Sequence, residues 1–224
     1  MRFKAYRYLI LVGVIALMFS GVGRADLLYN CGTCQGSTYL LEYDPTPVNL
    51  PNLPSGVTVW DIFLTIDATG YNGVAVNMQA YIQDVAIKVA NSADSGHSSL
   101  QDAPGGVPGL WTLEAGGLNA KGCDGKGSGF LCAKDSTTAP VRVSPALPIY
   151  TWEFYYATHD PLFTGEEAAT IKAEYVDGQG KKVGALVSED ITLQARTIPD
   201  GGVTLMLLGG ALIGLETLRR RLRA

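Results

Sequence analysis

Two histidines, a pair of adjacent glutamates and four cysteines are the residues of this sequence with the most chemistry to offer. His97 sits in SGHSS, where neighbouring serines suggest a nucleophile and its base. That pairing works only when the base reaches the hydroxyl and a third group orients it. Residues adjacent in a loop rarely meet that way, and GHS is not the strand-turn-helix serine elbow, so a plain surface loop is expected. His159, in His159-Asp160-Pro161, follows an aromatic run and reads as the turn that closes it. Glu166 and Glu167 could divide acid and base roles in a cleft, but next-door side chains usually diverge, and solvated charges are expected. Asp124 in DGKGSG and Asp177 in DGQGKK look loop-like, yet neither is followed by the series of acidic oxygens that a calcium loop requires. No catalytic residue, metal site or cofactor is therefore expected, and the protein reads as a non-enzyme.

The cysteines form two close pairs, Cys31 and Cys34 in CGTC, and Cys123 and Cys132 flanking DGKGSGFL. A dithiol redox motif needs its first cysteine at a helix N-terminus, where the thiol pKa falls. CGTC is instead followed by the strand-like QGSTYLLEY. A four-cysteine zinc site needs closer spacing in the second pair and free thiolates. Disulfides fit an exported chain better. Of the three pairings open to four cysteines, the two local ones are preferred, because each closes a short loop beside a turn.

The elements that must position these residues are strand-like nearly throughout. In VTVWDIFLTID, Trp60, Ile62, Leu64 and Ile66 share one face and Asp61, Thr65 and Asp67 the other, with Phe63 on the outward side. PIYTWEFYYATH places Tyr150, Trp152, Phe154 and Tyr156 on one face, opposite Thr151, Glu153 and Tyr155. That stripe could stack on sugar rings, but its alternation with Thr and Glu marks the inward side of a core strand. YIQDVAIKVAN turns Val85, Ile87 and Val89 inward and Lys88 outward. ATIKAEYV and VGALVSEDITL read as two strands joined by DGQGKK, and STYLLEY and LWTLEA add two more. The stretches DPTPVNLPNLPSG, NSADSGHSSLQDAPGGVPG and GGLNAKGCDGKGSG read as loops. The pattern predicts an all-β protein, an antiparallel β-sandwich of jelly-roll or immunoglobulin-like type over residues 26–195.

Charge and hydropathy set the two ends apart. MRFKAYR, the apolar YLILVGVIALMF and the small residues around Gly23-Arg24-Ala25 have the three parts of a secretory signal peptide, expected to be cut after Ala25. Between Ala25 and Ile198 the chain carries nine basic against nineteen acidic residues, a net charge of about −10, which is unsuited to a phosphate backbone and excludes nucleic acid as an expected partner. Residues 196–224 hold Pro199-Asp200-Gly201-Gly202, an apolar run and an arginine cluster. Arginines after an apolar run stay on the cytoplasmic side, which predicts a single transmembrane helix that is short for a permanent anchor.

The tail resembles a bacterial carboxy-terminal sorting signal of the PEP-CTERM class, in its VPD-type variant. Ile198, Pro199, Asp200, Gly201 and Gly202 match the sorting motif, VTLMLLGGALIGL the apolar stretch, and Arg219, Arg220 and Arg221 the membrane stop. The chain departs from the pattern with Ile198 in place of valine and with Glu216 late in the apolar run. The resemblance implies processing by an exosortase-type enzyme in a Gram-negative bacterium that secretes exopolysaccharide. It makes signal peptidase and that enzyme the expected partners, and exopolysaccharide a further one. GGLNAKGC, GSGFLCA and IKAEYVDGQGKKVGALVSE are similar to stretches of small extracellular proteins that share this tail and have no assigned activity. The expectation is an exported protein, held as an inner-membrane precursor and then sorted to the cell surface or matrix, with a structural or adhesive role. The competing expectation is a carbohydrate-binding module, which would present three aromatics on one exposed sheet face. Phe63, Tyr155 and Tyr81 are the outward candidates.

Overall fold

The computed structural model describes residues 31, 33–73, 79–105, 110–119, 121–124, 126–136, 141–142, 148–160 and 167–196. The signal segment 1–25, the sorting motif 198–202, the apolar run and the arginines 219–221 lie outside the described residues, as does Glu166.

Twelve strands appear among the described residues: β1 (Thr38–Tyr43), β2 (Thr58–Asp67), β3 (Tyr81–Lys88), β4 (Ser99–Asp102), β5 (Trp111–Ala115), β6 (Leu118–Asn119), β7 (Gly122–Cys123), β8 (Phe130–Asp135), β9 (Val141–Arg142), β10 (Ile149–Thr158), β11 (Glu167–Val176) and β12 (Val187–Ala195). Hydrogen bonds link nine of them in the order β4-β10-β2-β1-β12-β11-β3-β8-β5, with β9 beside β3 and the β6-β7 hairpin separate.

The path folds back on itself and makes two halves. In the first, β2 and β10 pair along ten residues, from Ile149 opposite Asp67 to Thr158 opposite Thr58. That register sets the two inward series side by side, Tyr150 by Ile66, Trp152 by Leu64, Phe154 by Ile62 and Tyr156 by Trp60. All eight are buried, as the period-two pattern requires. The second half supplies Val85 and Ile87 from β3, Leu131 and Ala133 from β8, Ala169, Ile171, Ala173 and Tyr175 from β11, and Val187, Ile191 and Leu193 from β12 to the same core. Trp111 of β5 meets Trp152 of β10 edge to face, with ring centroids 5.3 Å apart. Tyr156 Oη donates across to the Gly129 carbonyl at 2.7 Å. A core filled from two sheet faces is the sandwich arrangement.

The sandwich is not wholly antiparallel. Its halves join through a short parallel contact between β1 and β12, with Glu42 opposite Gln194 and Tyr43 opposite Ala195, which corrects the purely antiparallel expectation. Parallel neighbours need a long connection, and here almost the whole domain intervenes, so no local signal marks the pairing.

Two loop assignments also change, and one strand that the sequence left unassigned, β8, is present. β4 lies inside the stretch read as a loop around His97 and pairs with β10 at the sheet edge; only Leu100 carries its pattern. GGLNAKGC holds the β6-β7 hairpin. β8 lacks period-two alternation because both its faces are covered: Leu131 and Ala133 face the main core, and Cys132 packs with Ala86, Leu118 and Cys123 on the other side. In β3, a register shift opposite Glu174/Tyr175 lets Ile82 join Val85 and Ile87 in the main core despite the change of parity.

Candidate functional site

Both local disulfides are present. Cys31 and Cys34 close a turn whose Cα atoms are 5.1 Å apart, with Cys34 N–H donating to Cys31 O and Ser37 N–H to Cys34 O. Cys34 is buried, and a strand rather than a helix follows it, so the turn lacks the helix N-terminus that a reactive thiol uses. The turn is tied to the start of the last strand: Thr33 Oγ1 donates to Glu189 Oε1, and Gln35 Nε2 to Ala185 O at 2.6 Å. Gly36 has φ +83°, and a Cβ there would stand 1.9 Å from Gly70 O, so this crossing needs glycine. Beneath it, Tyr39 Oη and Tyr175 Oη share a buried hydrogen bond of 2.8 Å.

The second disulfide, Cys123–Cys132, has Cα atoms 5.8 Å apart and staples the β6-β7 hairpin onto the outer face of β8. Lys172 of β11 reaches over the Phe130 ring, 4.7 Å from its centroid, and donates to Leu118 O at 3.1 Å. Asp124, considered above for calcium, is spent on the hairpin itself: its Oδ2 accepts from Asn119 Nδ2 and its Oδ1 from Lys126 N–H. Asp177 likewise caps the β11-β12 turn by accepting from Gln179 N–H and Lys181 N–H, each at 2.9 Å. Under the hairpin lies a buried carboxylate pair, Asp84 of β3 opposite Glu174 of β11. Burial first, then the Glu174 charge, push the Asp84 carboxyl up to about 7, with Lys134 pulling it back. Lys182 Nζ stands 2.8 Å from Glu174 Oε1 as an ion pair without hydrogen-bond alignment.

On the outer face of the first half, register sets Glu42, Phe63, Glu153 and Asp102 in a row across β1, β2, β10 and β4. Asp61 and Tyr155 form the next row. The Arg196 guanidinium covers the Phe63 ring at 4.1 Å, and Tyr155 packs against Val57, Val59 and Ala157 together with Val48, Leu50 and Leu53. Tyr81 is on the other half, where its hydroxyl donates to Gln79 Oε1 at 2.9 Å. The three outward aromatics therefore do not share a face, and the two that do are partly covered. Carboxylate crowding dominates this surface. Burial raises Asp61 to about 6, with Glu153 and Asp44 adding to the rise and Arg196 opposing it. Glu153 is raised by burial and by Asp102, again against Arg196.

The two histidines, which sequence reasoning assigned to a loop and to a turn, come together. Ala93 bridges to Thr158, and Asp94 N–H donates to Ala157 O at 2.8 Å, which lays the loop along the end of β10. His97 Nδ1 is then 2.8 Å from Asp94 Oδ2, and His159 Nε2 is 3.9 Å from the same oxygen. Ser98 Oγ is occupied, donating to Asp94 O and accepting from Ala157 N–H, and so fixes the loop on β10. Among the described residues, no group of three His, Cys, Asp or Glu side chains is placed to hold a metal ion. Nothing in the sequence flagged this meeting, because it depends on β4 and β10 being neighbours.

These features define an all-β, disulfide-stapled, sandwich-like domain. No protein-family model matches the chain, and the search of characterised proteins finds no relative. Among solved structures, it is similar at 10% identity and a TM-score of 0.34 to BcpA, the major pilin subunit of Bacillus cereus, over 72% of this chain and 42% of the pilin. It is similar at 10% identity and a TM-score of 0.32 to the pilus backbone RrgB of Streptococcus pneumoniae, over 70% and 78%. The collagen-binding subdomain of the Enterococcus faecalis surface protein ACE aligns at 12% identity and a TM-score of 0.27, over 76% and 100%. The chain thus spans less than half of the Bacillus pilin, and no residue role is carried across from any of the three.

Proposed function

We propose that this is an exported structural or adhesive protein of the cell envelope or biofilm matrix, sorted to the surface through its tail by an exosortase-type enzyme. The observation that carries the reading is where the last described strand ends. β12 ends at Ala195 and Arg196 is held on Phe63, so the motif beginning at Ile198 follows the last strand almost at once, with the tail as a separable address. Two short-range disulfides suit an oxidising compartment outside the cytoplasm. The acidic outer face suits a solvated surface protein and repels other polyanions.

The test is deletion of residues 198–224 in a host that carries an exosortase. The shortened chain is expected to keep its β-rich circular dichroism and cooperative melt but to lose surface retention in cell fractionation. Surface retention equal to that of the full chain would overturn the sorting role.

A further inference from the structure

We propose that the β6-β7 hairpin is a pH-governed flap over Asp84 and Glu174, closed while the pair holds a proton and opened when that proton leaves. The two carboxyls are registered neighbours on β3 and β11, and they are only 2% and 6% exposed. Asp84 Oδ1 and Glu174 Oε2 have no hydrogen-bond partner among the described residues. Two such groups kept from water resist ionising together, so the closed arrangement favours one retained proton.

The hairpin itself is the cover. Gly122 of β7 lies so near that a Cβ there would stand 2.9 Å from Asp84 Oδ2. Its own ladder is short, with β6 and β7 pairing over two positions, and one outside tie is Lys172 Nζ donating to Leu118 O at 3.1 Å. The Cys123–Cys132 disulfide tethers the hairpin to β8, so an opening pivots about it and does not carry the hairpin away. Opening brings water to Asp84 and uncovers Ala86 and Leu118, which pack with both cysteines in the closed form.

The surrounding charges do not neutralise the pair. Burial first, then Glu174, raise the Asp84 carboxyl to about 7 in the closed form, against 3.8 for the free group. Lys134 of β8 opposes that rise, while Glu114 of β5 and Asp135 of β8 add to it. Lys134 Nζ is also shared with Glu114 Oε1 at 3.7 Å. Lys182 pairs with Glu174 rather than with Asp84, 2.8 Å from Oε1. Lys172 and Lys88 lie over the Phe130 ring, and Asp124 is bonded within the hairpin. The open form therefore binds the proton less tightly, and opening grows as pH rises from about 4 and levels off above about 7.

The experiment measures amide hydrogen exchange of the disulfide-intact chain at pH 5 and pH 7.5, corrected for the intrinsic dependence of exchange on pH. The β6 and β7 amides are expected to be less protected than those of β2 at both values, which marks a local opening. Their protection should fall at least about tenfold between the two, the sign and scale of one linked proton. Asp84→Asn should reduce that fall to less than about twofold, and Glu174→Gln should shrink it as well, because the partner charge is gone. Asp61→Asn removes the raised carboxyl of the other half and should leave the hairpin's fall unchanged. Circular dichroism and melting temperature confirm that each variant is folded. Hairpin protection equal to that of β2, protection that does not change with pH, or a full fall in Asp84→Asn overturns the proposal.

Discussion

Asp84 and Glu174 face each other across β3 and β11 as registered neighbours, and both are buried beneath the hairpin that carries Gly122. Gly122 has φ +94°, and a Cβ there would come within 2.9 Å of Asp84 Oδ2. The hairpin therefore rests directly on a carboxylate pair in which Asp84 Oδ1 and Glu174 Oε2 have no hydrogen-bond partner among the described residues.

That arrangement makes stability depend on pH with a definite sign. The folded state holds the Asp84 proton up to about pH 7, against 3.8 for the free group. The contribution is full below the unfolded value and is lost as pH rises from about 4 through 7, because the folded protein binds the extra proton there. Asp84→Asn is expected to flatten the fall and to stabilise the fold at pH 8 by about 1–3 kcal/mol, the usual cost of an unsatisfied buried polar group. Urea unfolding at pH 5 and pH 8 measures it; an equal effect at both pH values would count against the buried charge. Some slope remains in the variant, since Asp61 is also raised, to about 6.

The hairpin is held mainly by its staple. Replacing Cys123 and Cys132 together by serine removes a cross-link over nine positions, a loss of about 2–3 kcal/mol on the chain-entropy estimate. The protection of Leu118–Cys123 amides against hydrogen exchange should fall further than that of β2. The intact protein should show four hydrogens fewer than its reduced form and no alkylatable thiol, since all four cysteines are paired.

Trp152 is fully buried against Trp111, and its indole Nε1 has no hydrogen-bond partner among the described residues. Trp152→Ala is expected to cost about 3–5 kcal/mol through the cavity it leaves. Trp152→Phe should cost clearly less, because it keeps much of the ring volume and removes an unsatisfied donor. Thermal melts of the pair decide the matter, and equal losses would mean that the N–H is satisfied in solution.

Arg196 lowers the pKa of both Asp61 and Glu153 by its charge while lying on Phe63. Arg196→Ala should raise both carboxyls further, read by carbon-detected NMR titration. The accompanying stability loss should stay near 0.5–1 kcal/mol, the usual size of an exposed cation–ring contact. Unchanged titration would remove Arg196 from the acidic surface in solution.

How much of this was legible beforehand depends on how far each contact reaches along the chain. The inward faces of β2 and β10 could be read in full, because alternation of Trp60, Ile62, Leu64 and Ile66 with polar neighbours is local information. The short disulfides were legible for the same reason. β8 was not, because a strand covered on both faces loses its alternation. β4 was hidden because an edge strand of four residues carries too little pattern to separate it from a loop.

The sequence by itself determined an all-β domain, its core stripes and its local cross-links, since each is written within a window of a few residues. Only the tertiary structure decided the parallel seam between β1 and β12, the burial of Asp84 against Glu174, and the meeting of His97, Asp94 and His159. Those depend on which strands become neighbours. Strand order is set by the combined packing of the whole core, and no short stretch of chain encodes it.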